Sequence, residues 1–270
     1  TGFNFKETNY FLISEALRGA GAKLINNKGN YFMNNYHQMK DLAPRDIVSR
    51  AIYEQLQQKH LVYLDCRDIG KTISKKFPNI TKTALENDIN LEKDLLPVCP
   101  VMHYMMGGVL TNTKAETDIK NLFAIGEVAG NGLHGANRLA SNSLIEGVVF
   151  AKKASKKIQL TYQTTSLQNT PSKKIKPTKI SKKMITQIQT LIWNHCGISR
   201  THKGIKSGIQ QLQTLSKNIT KRDHCSSKQW ITLCNLLLTA ATNRNENLGS
   251  HYIGNRSTKQ ISYWITQAKK

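Results

Sequence analysis

The sequence predicts an α+β chain whose first 150 residues mix short strands with helices and whose last third is a helical bundle. Three observations carry this. Short β-branched and aromatic runs, LVYLD (61–65) and NLFAIGEVAG (121–130), alternate with helix-spaced segments in the first half. From residue 184 onward, MITQIQTLIWNHCGI, GIKSGIQQLQTLSKNI and KQWITLCNLLLTAATNRNE each repeat apolar residues at helical spacing. The charge also changes abruptly. Residues 1–150 hold 17 Lys/Arg and 15 Asp/Glu, a balance of +2, whereas residues 151–270 hold 22 and 2, a balance of +20.

Taken in order, residues 8–19 (TNYFLISEALRG) read as a helix with apolar positions at Phe11, Leu12, Ala16 and Leu17. NNKGN (26–30) is a tight-turn composition between GAKLI and YFM, so a hairpin is expected there. Pro44 opens a helix, RDIVSRAIYEQLQQK, in whose first turn a proline is tolerated. LVYLD is a strand, and residues 71–90 are helical with an interruption at Pro78. LLPVCPVMHYMMGGVLTN (95–112) carries two prolines, a His-Tyr pair and a Gly-Gly turn. NLFAIGEVAG reads as a buried strand and SLIEGVVFAKKASKKI (143–158) as a helix. Between them runs GLHGANRLASNSL (132–144), rich in small residues with one arginine. A loop so placed brings backbone N–H groups at a helix N-terminus within reach of an anion. Residues 152–183 hold ten lysines among Thr, Ser and Gln, a linker composition.

Several classes are excluded by what is missing. No run of about 18 apolar residues exists, so no membrane span is expected. The five cysteines are scattered without a C-x-x-C pair, which argues against a disulfide framework or zinc site and fits a reducing, cytoplasmic setting. The basic second half has no nucleic-acid motif beside it, so nucleic acid is not the expected partner. No strand–G-x-G-x-x-G–helix fingerprint opens the chain; RGAGAK (18–23) has two of the glycines but follows a helix. The chain therefore lacks a complete dinucleotide fold. Together with the absence of an initiating methionine, this is the expectation for a sequence that begins inside a longer one.

FLISEALRGAG (11–21), DLAPRDIVSRAI (41–52), HYMMGGV (103–109), LFAIGEVAGNGLHGANRLASNSLIEG (122–147) and IWNHCGISR (192–200) follow one another in this order. In this set and order the chain closely resembles the L-aspartate oxidase family, within the succinate dehydrogenase/fumarate reductase flavoprotein superfamily. The resemblance implies four parts. Residues 1–98 would be the remnant of a capping domain and 99–152 the C-terminal segment of a Rossmann-like FAD domain. Residues 153–183 would be the Lys-rich linker and 184–270 the helical C-terminal domain. The N-terminal FAD-binding half of the family is missing and would be the partner this chain needs.

The resemblance also implies roles. Arg45 would be the active-site proton donor or acceptor, with Glu15 and Arg18, three residues apart on one helix face, as its relay. His103 would bond a substrate carboxylate, Arg138 would clamp one bidentately and Ser141 would add a contact. Glu127, with the backbone N–H groups of Ser143 and Leu144, would face FAD. His134 and Asn137 would brace the loop. Read without the family, Arg45 is a helix-start surface arginine, His103 a structural histidine and Glu127 a turn cap. The implied reaction is oxidation of L-aspartate to iminoaspartate with hydride transfer to FAD, and reoxidation by oxygen or fumarate. The product would feed quinolinate and NAD synthesis, which makes quinolinate synthase the downstream partner. The isolated chain is expected to be inactive. Two alternatives stand beside this: a fumarate reductase or succinate dehydrogenase flavoprotein fragment acting on a fumarate-like dicarboxylate, and a degenerate basic binding module. Near the C-terminus the family's Arg–Glu–Ser–Arg–Gly–x–His pattern reads RNENLGSHY (244–252). Glu246, Gly249 and His251 are kept, Asn245, Asn247 and Leu248 are replacements, and Arg244 is one place out of register. This departure puts in question how the helical domain packs against the flavin region.

Overall fold

The computed structural model describes residues 1–6, 9–161, 180–217, 219 and 224–254. Most of the Lys-rich linker, residues 162–179, and the last 16 residues of the helical domain lie outside the described residues. Helices and short strands are mixed as far as Gly130, and among the described residues only helices follow; the chain divides into two compact units, residues 1–105 and 106–270.

In the first unit, strands β1 (Gly2–Lys6) and β2 (Asn9–Leu12) form an antiparallel pair with Phe3 opposite Phe11. This corrects the expected helix over 8–19, of which only α1 (Ala16–Gly19) is helical. Tyr10 and Phe11 favour a pleated surface, and the pairing with β1 decides between the two periodicities that this short apolar run allows.

Strand β3 (Lys23–Asn26) is followed by the predicted turn, in which the Asn26 side chain accepts the N–H groups of Lys28 and Asn30, both at 3.0 Å. The hairpin beyond it does not form. Phe32–Asn35 is a 3-10 turn whose Phe32 and Met33 are buried, and β3 pairs instead with a strand almost 40 residues later. Burying two large apolar side chains outweighs a local ladder that would leave them outside.

Helix α2 (Arg45–Gln57) begins immediately after Pro44 and buries Val48, Ala51, Ile52 and Gln55, the i, i+3, i+4, i+7 stripe. It packs on β4 (Val62–Asp65). Helices α3 (Ile73–Lys76) and α4 (Pro78–Leu85) are divided at Pro78, as predicted. Strand β5 (Leu96–Pro97) completes a three-stranded antiparallel sheet in the order β3–β4–β5. Leu24, Leu64 and Leu96 stand opposite one another across it, each at most 1 % exposed. This row, with the apolar stripe of α2, is the centre of the first core.

The second unit opens with β6 (Val109–Leu110), which pairs in parallel with β7 (Ala129–Gly130). The buried strand expected over 121–130 is thus reduced to two residues. Gly126–Val128 is a 3-10 turn that carries Glu127, and Ile125 and Val128 are exposed. A parallel strand is normally covered on both faces, and among the described residues only β6 pairs with this one. A Cβ at Gly108 would lie 2.1 Å from the Val128 carbonyl oxygen, so the second glycine of HYMMGGV permits this close approach.

Helix α5 (Asn142–Thr161) buries Phe150 and Ala154 against Ala115 and Phe123. Helices α6 (Lys182–Cys196), α7 (His202–Lys217) and α8 (His224–Asn243) share a core of Ile188, Ile205, Leu212 and Leu238. The Ser181 hydroxyl caps α6 by accepting the Met184 N–H. No helix among the described residues is long and apolar enough to cross a membrane.

Candidate functional site

The first unit brings Glu15, Arg18 and Arg45 together. Pro44 sets the N-terminus of α2 and leaves Arg45 as its first residue, a position where the helix dipole opposes a cation. The Glu15 carboxylate offsets this by accepting from Arg45 Nε, and the same oxygen stands 4.0 Å from Arg18 Nη2. One carboxylate oxygen is therefore shared by two guanidinium groups. Arg18 is buried, and its Nη1 donates to the Asp41 carbonyl oxygen. Burial pushes the Arg18 guanidinium below its ordinary value; Glu15 and Asp41 pull it up, and Arg45 pushes it further down. The Asp41 carboxylate accepts the Leu24 N–H at 2.7 Å, and burial raises its pKa. Asp41 was not singled out from the sequence. DLAPRD marks the segment, but only the fold places its main chain against Arg18. His103 is exposed, on a segment without regular structure near the end of this unit.

The second unit carries the remaining candidates. Arg138 is 7 % exposed; its backbone N–H donates to Met106 Sδ at 3.2 Å and its Nη1 to the Leu139 carbonyl at 3.3 Å. Ser141 is exposed and has φ +64, an unfavourable region for a residue with a Cβ, directly before α5. Ser143 and Leu144 lie in the first turn of α5, where backbone N–H groups have no partner within the helix. Leu144 is 78 % exposed. Helix α5 also packs along the 3-10 turn of Glu127, so the three residues expected near a flavin belong to adjoining elements.

A second carboxylate near this loop escaped the sequence reading. Glu146 is 2 % exposed and accepts the Asn131 amide at 2.6 Å, while Asn131 Oδ1 accepts the Leu133 N–H at 3.0 Å. Its other oxygen, Oε2, is buried and has no hydrogen-bond partner among the described residues. A lone acid inside the apolar run SLIEGVVF was the available signal, because a buried carboxylate is retained only where something needs it.

The donor set fits the flavin end of FAD. An ideal Cβ on Gly126, Gly132 or Gly135 would meet nothing within 4 Å, so the backbone at these glycines is open to a ligand. The first turn of α5 offers N–H groups to a negative locus, and Glu127 offers an acceptor for hydroxyls. Gly130, Gly132 and Gly135 follow β7 at G-x-G-x-x-G spacing, but α5 opens only at Asn142, so among the described residues they do not form the tight strand–glycine turn–helix of a pyrophosphate site.

Residues 3–144 match the FAD binding domain family. The chain is 37% identical over 260 residues to the L-aspartate oxidase of Acinetobacter baylyi, covering 90% of this chain and 48% of that protein. It is 37% identical over 255 residues to the L-aspartate oxidase of Pyrococcus horikoshii, covering 93% and 49%. Against the Nostoc enzyme of the same name identity is 50% over 147 residues, 52% of this chain and 25% of that one. Among solved structures, a quinol-fumarate reductase with menaquinol molecules superimposes with a TM-score of 0.76 at 27% identity, over 89% of this chain and 51% of that one. A mutant E. coli quinol fumarate reductase gives 0.74 at 26%, over 93% and 52%. The chain spans about half the length of the relatives it matches.

Proposed function

The chain belongs to the FAD binding domain family, and from that premise we propose that it carries the substrate-handling part of a flavin-dependent oxidase of L-aspartate. The observation that carries this reading is the Glu15 carboxylate held between Arg18 and Arg45, in a chain similar along nine-tenths of its length to L-aspartate oxidases. Oxidising an α-amino acid to its imino acid removes a hydride from the α-carbon and a proton from nitrogen. FAD, when bound, accepts the hydride. The chain's own residues do the rest. Arg138, His103 and Ser141 hold and orient the dicarboxylate; Arg45 passes the proton to Glu15, whose carboxylate is positioned between Arg45 and Arg18. Glu127 and the first-turn N–H groups of α5 hold the cofactor, with Gly126, Gly132 and Gly135 leaving room for it. The division into capping, FAD-domain, linker and helical parts belongs to the same reading, as does supply of iminoaspartate for quinolinate and NAD synthesis in the cytoplasm.

The pyrophosphate site is assigned to the segment that the relatives carry and this chain does not. Purified alone, the 270-residue chain is expected to retain no flavin. With that segment supplied, L-aspartate should bleach the bound flavin anaerobically and succinate should not. Faster bleaching by succinate would overturn the aspartate assignment in favour of a fumarate reductase or succinate dehydrogenase activity, the reading favoured by the likeness to quinol-fumarate reductases. Stoichiometric flavin on the 270-residue chain alone would overturn the assignment of the pyrophosphate site.

A further inference from the structure

We infer that the hairpin Leu248–His251, which belongs to the helical region, positions the loop that carries Arg138. The contact is specific. The Ala136 carbonyl, two residues before Arg138, accepts both the Ser250 N–H at 2.9 Å and the Ser250 hydroxyl at 3.0 Å. Gly249 lies against the same peptide with φ +54, and a Cβ there would sit 2.4 Å from the Ala136 oxygen and 3.0 Å from the Asn137 Cβ. No other residue fits that position without moving the loop.

The hairpin is braced from behind. Leu248 and His251 exchange backbone bonds, each of 3.0 Å. The Asn247 side chain closes a ring on Ile253, accepting its N–H at 2.8 Å and donating to its carbonyl at 3.2 Å. The backbone N–H of Arg200, ahead of α7, donates to the Tyr252 carbonyl at 3.0 Å, and its carbonyl accepts the Gly254 N–H at 2.8 Å. Its Nη1 also donates to His251 Nδ1 at 3.1 Å, which leaves Nε2–H to donate to the Arg244 carbonyl at 3.2 Å. Ile253, 1 % exposed, is buried in the core shared by α6, α7 and α8. A continuous path of short bonds thus runs from the helical core through Ser250 to the residue next but one to Arg138. The Asn for Ser and Leu for Arg replacements noted in the sequence do not loosen this docking. Asn247 supplies the bracing ring, and Gly249 and Ser250 make the contact.

The functional side of the inference rests on the reading of Arg138 as a carboxylate grip. Hydrogen exchange on the 270-residue chain tests the mechanical side. Gly249→Ala should speed amide exchange over residues 136–141 by about tenfold, and Ser250→Ala by a few-fold, with the amides of α6–α8 unchanged. Ser250→Thr, which keeps the hydroxyl, should restore protection. If Gly249→Ala unfolds the helices, Ser250→Ala decides, and unchanged loop exchange in that variant overturns the inference. A parallel NMR titration should show weaker succinate binding by Gly249→Ala, whose Cβ would displace the Ala136 peptide, than by the unaltered chain. Equal affinities would overturn the positioning role. A wild-type chain that binds no succinate would instead sink the reading of Arg138, while the exchange experiment still decides the tether.

Discussion

Residues 1–105 and residues 106–161 use the same materials, two- to five-residue strands and short connections around one long helix, yet they finish their surfaces differently. In the first region the leucine row of the sheet and the stripe of α2 bury each other, and the charged groups are paired across elements. In the second, the buried core comes down to Ala115, Phe150 and Ala154. Leu144, Ile145 and Val148 of α5 are all more than 60 % exposed, and among the described residues no third strand joins the parallel pair β6–β7. A contiguous apolar face of this kind marks a surface made to be covered. The Glu15–Arg18–Arg45 cluster is thus closed by contacts within the first unit, whereas the α5 face is left open among the described residues.

The largest expected effect separates the two regions by function. With flavin and the segment proposed to hold the pyrophosphate supplied, Arg45→Gln should lower kcat by about 10²- to 10⁴-fold while the melting temperature of the 270-residue chain stays unchanged. Glu15→Gln should follow it in the same direction, with an altered pH profile. A kcat within threefold of wild type for Arg45→Gln would remove the cluster from the mechanism.

Stability comes next. Leu64→Ala, in the leucine row, should cost about 2–5 kcal/mol in urea unfolding of the 270-residue chain. Leu144→Ser should cost less than about 0.5 kcal/mol there, because its side chain is already in water. Equal costs would show that the α5 face is covered after all.

Acid titration should sharpen the account of the first region. Paired with Arg67 at 2.8 Å, Asp65 has its pKa lowered to about 2. That is below the unfolded value of about 3.9, so its contribution is present above pH of about 4 and is lost as pH falls towards 2. Arg67 is nearly half exposed, so screening limits the effect to about 1 kcal/mol. The stability gap between wild type and Asp65→Asn should narrow steadily over that pH range; a gap undiminished at pH 2.5 would show that the Arg67 pairing is not its source. Smallest of all, Lys82→Ala should move stability by only about 0.3 kcal/mol, since its pair with Glu86 is exposed on both sides. A loss above about 1 kcal/mol would mean that the α4 surface is packed against something.

Much was legible in advance where a single strong local rule operates. Pro44 placed a helix start and Pro78 an interruption, the 3.6-residue repeat of apolar side chains located α6, α7 and α8, and the motif order pointed to the family. The errors have a common cause. TNYFLIS and YFM are short apolar runs that suit two conformations, and partners far along the chain chose between them: β1 for the first, the buried 3-10 turn and the β3–β4 pairing for the second. The same holds for the candidate site. The sequence by itself determined which ionisable residues were available, and the spacing that puts Glu15 and Arg18 on one side of a turn. Only the tertiary structure decided that Arg45, 30 residues away, shares Glu15 with Arg18, that Glu146 is buried against Asn131, and that Ser250 reaches back 114 residues to Ala136. Local propensity acts over one or two turns of chain. Bonds between distant residues form only where core burial has already brought the backbones within about 3 Å, and no local pattern encodes that distance.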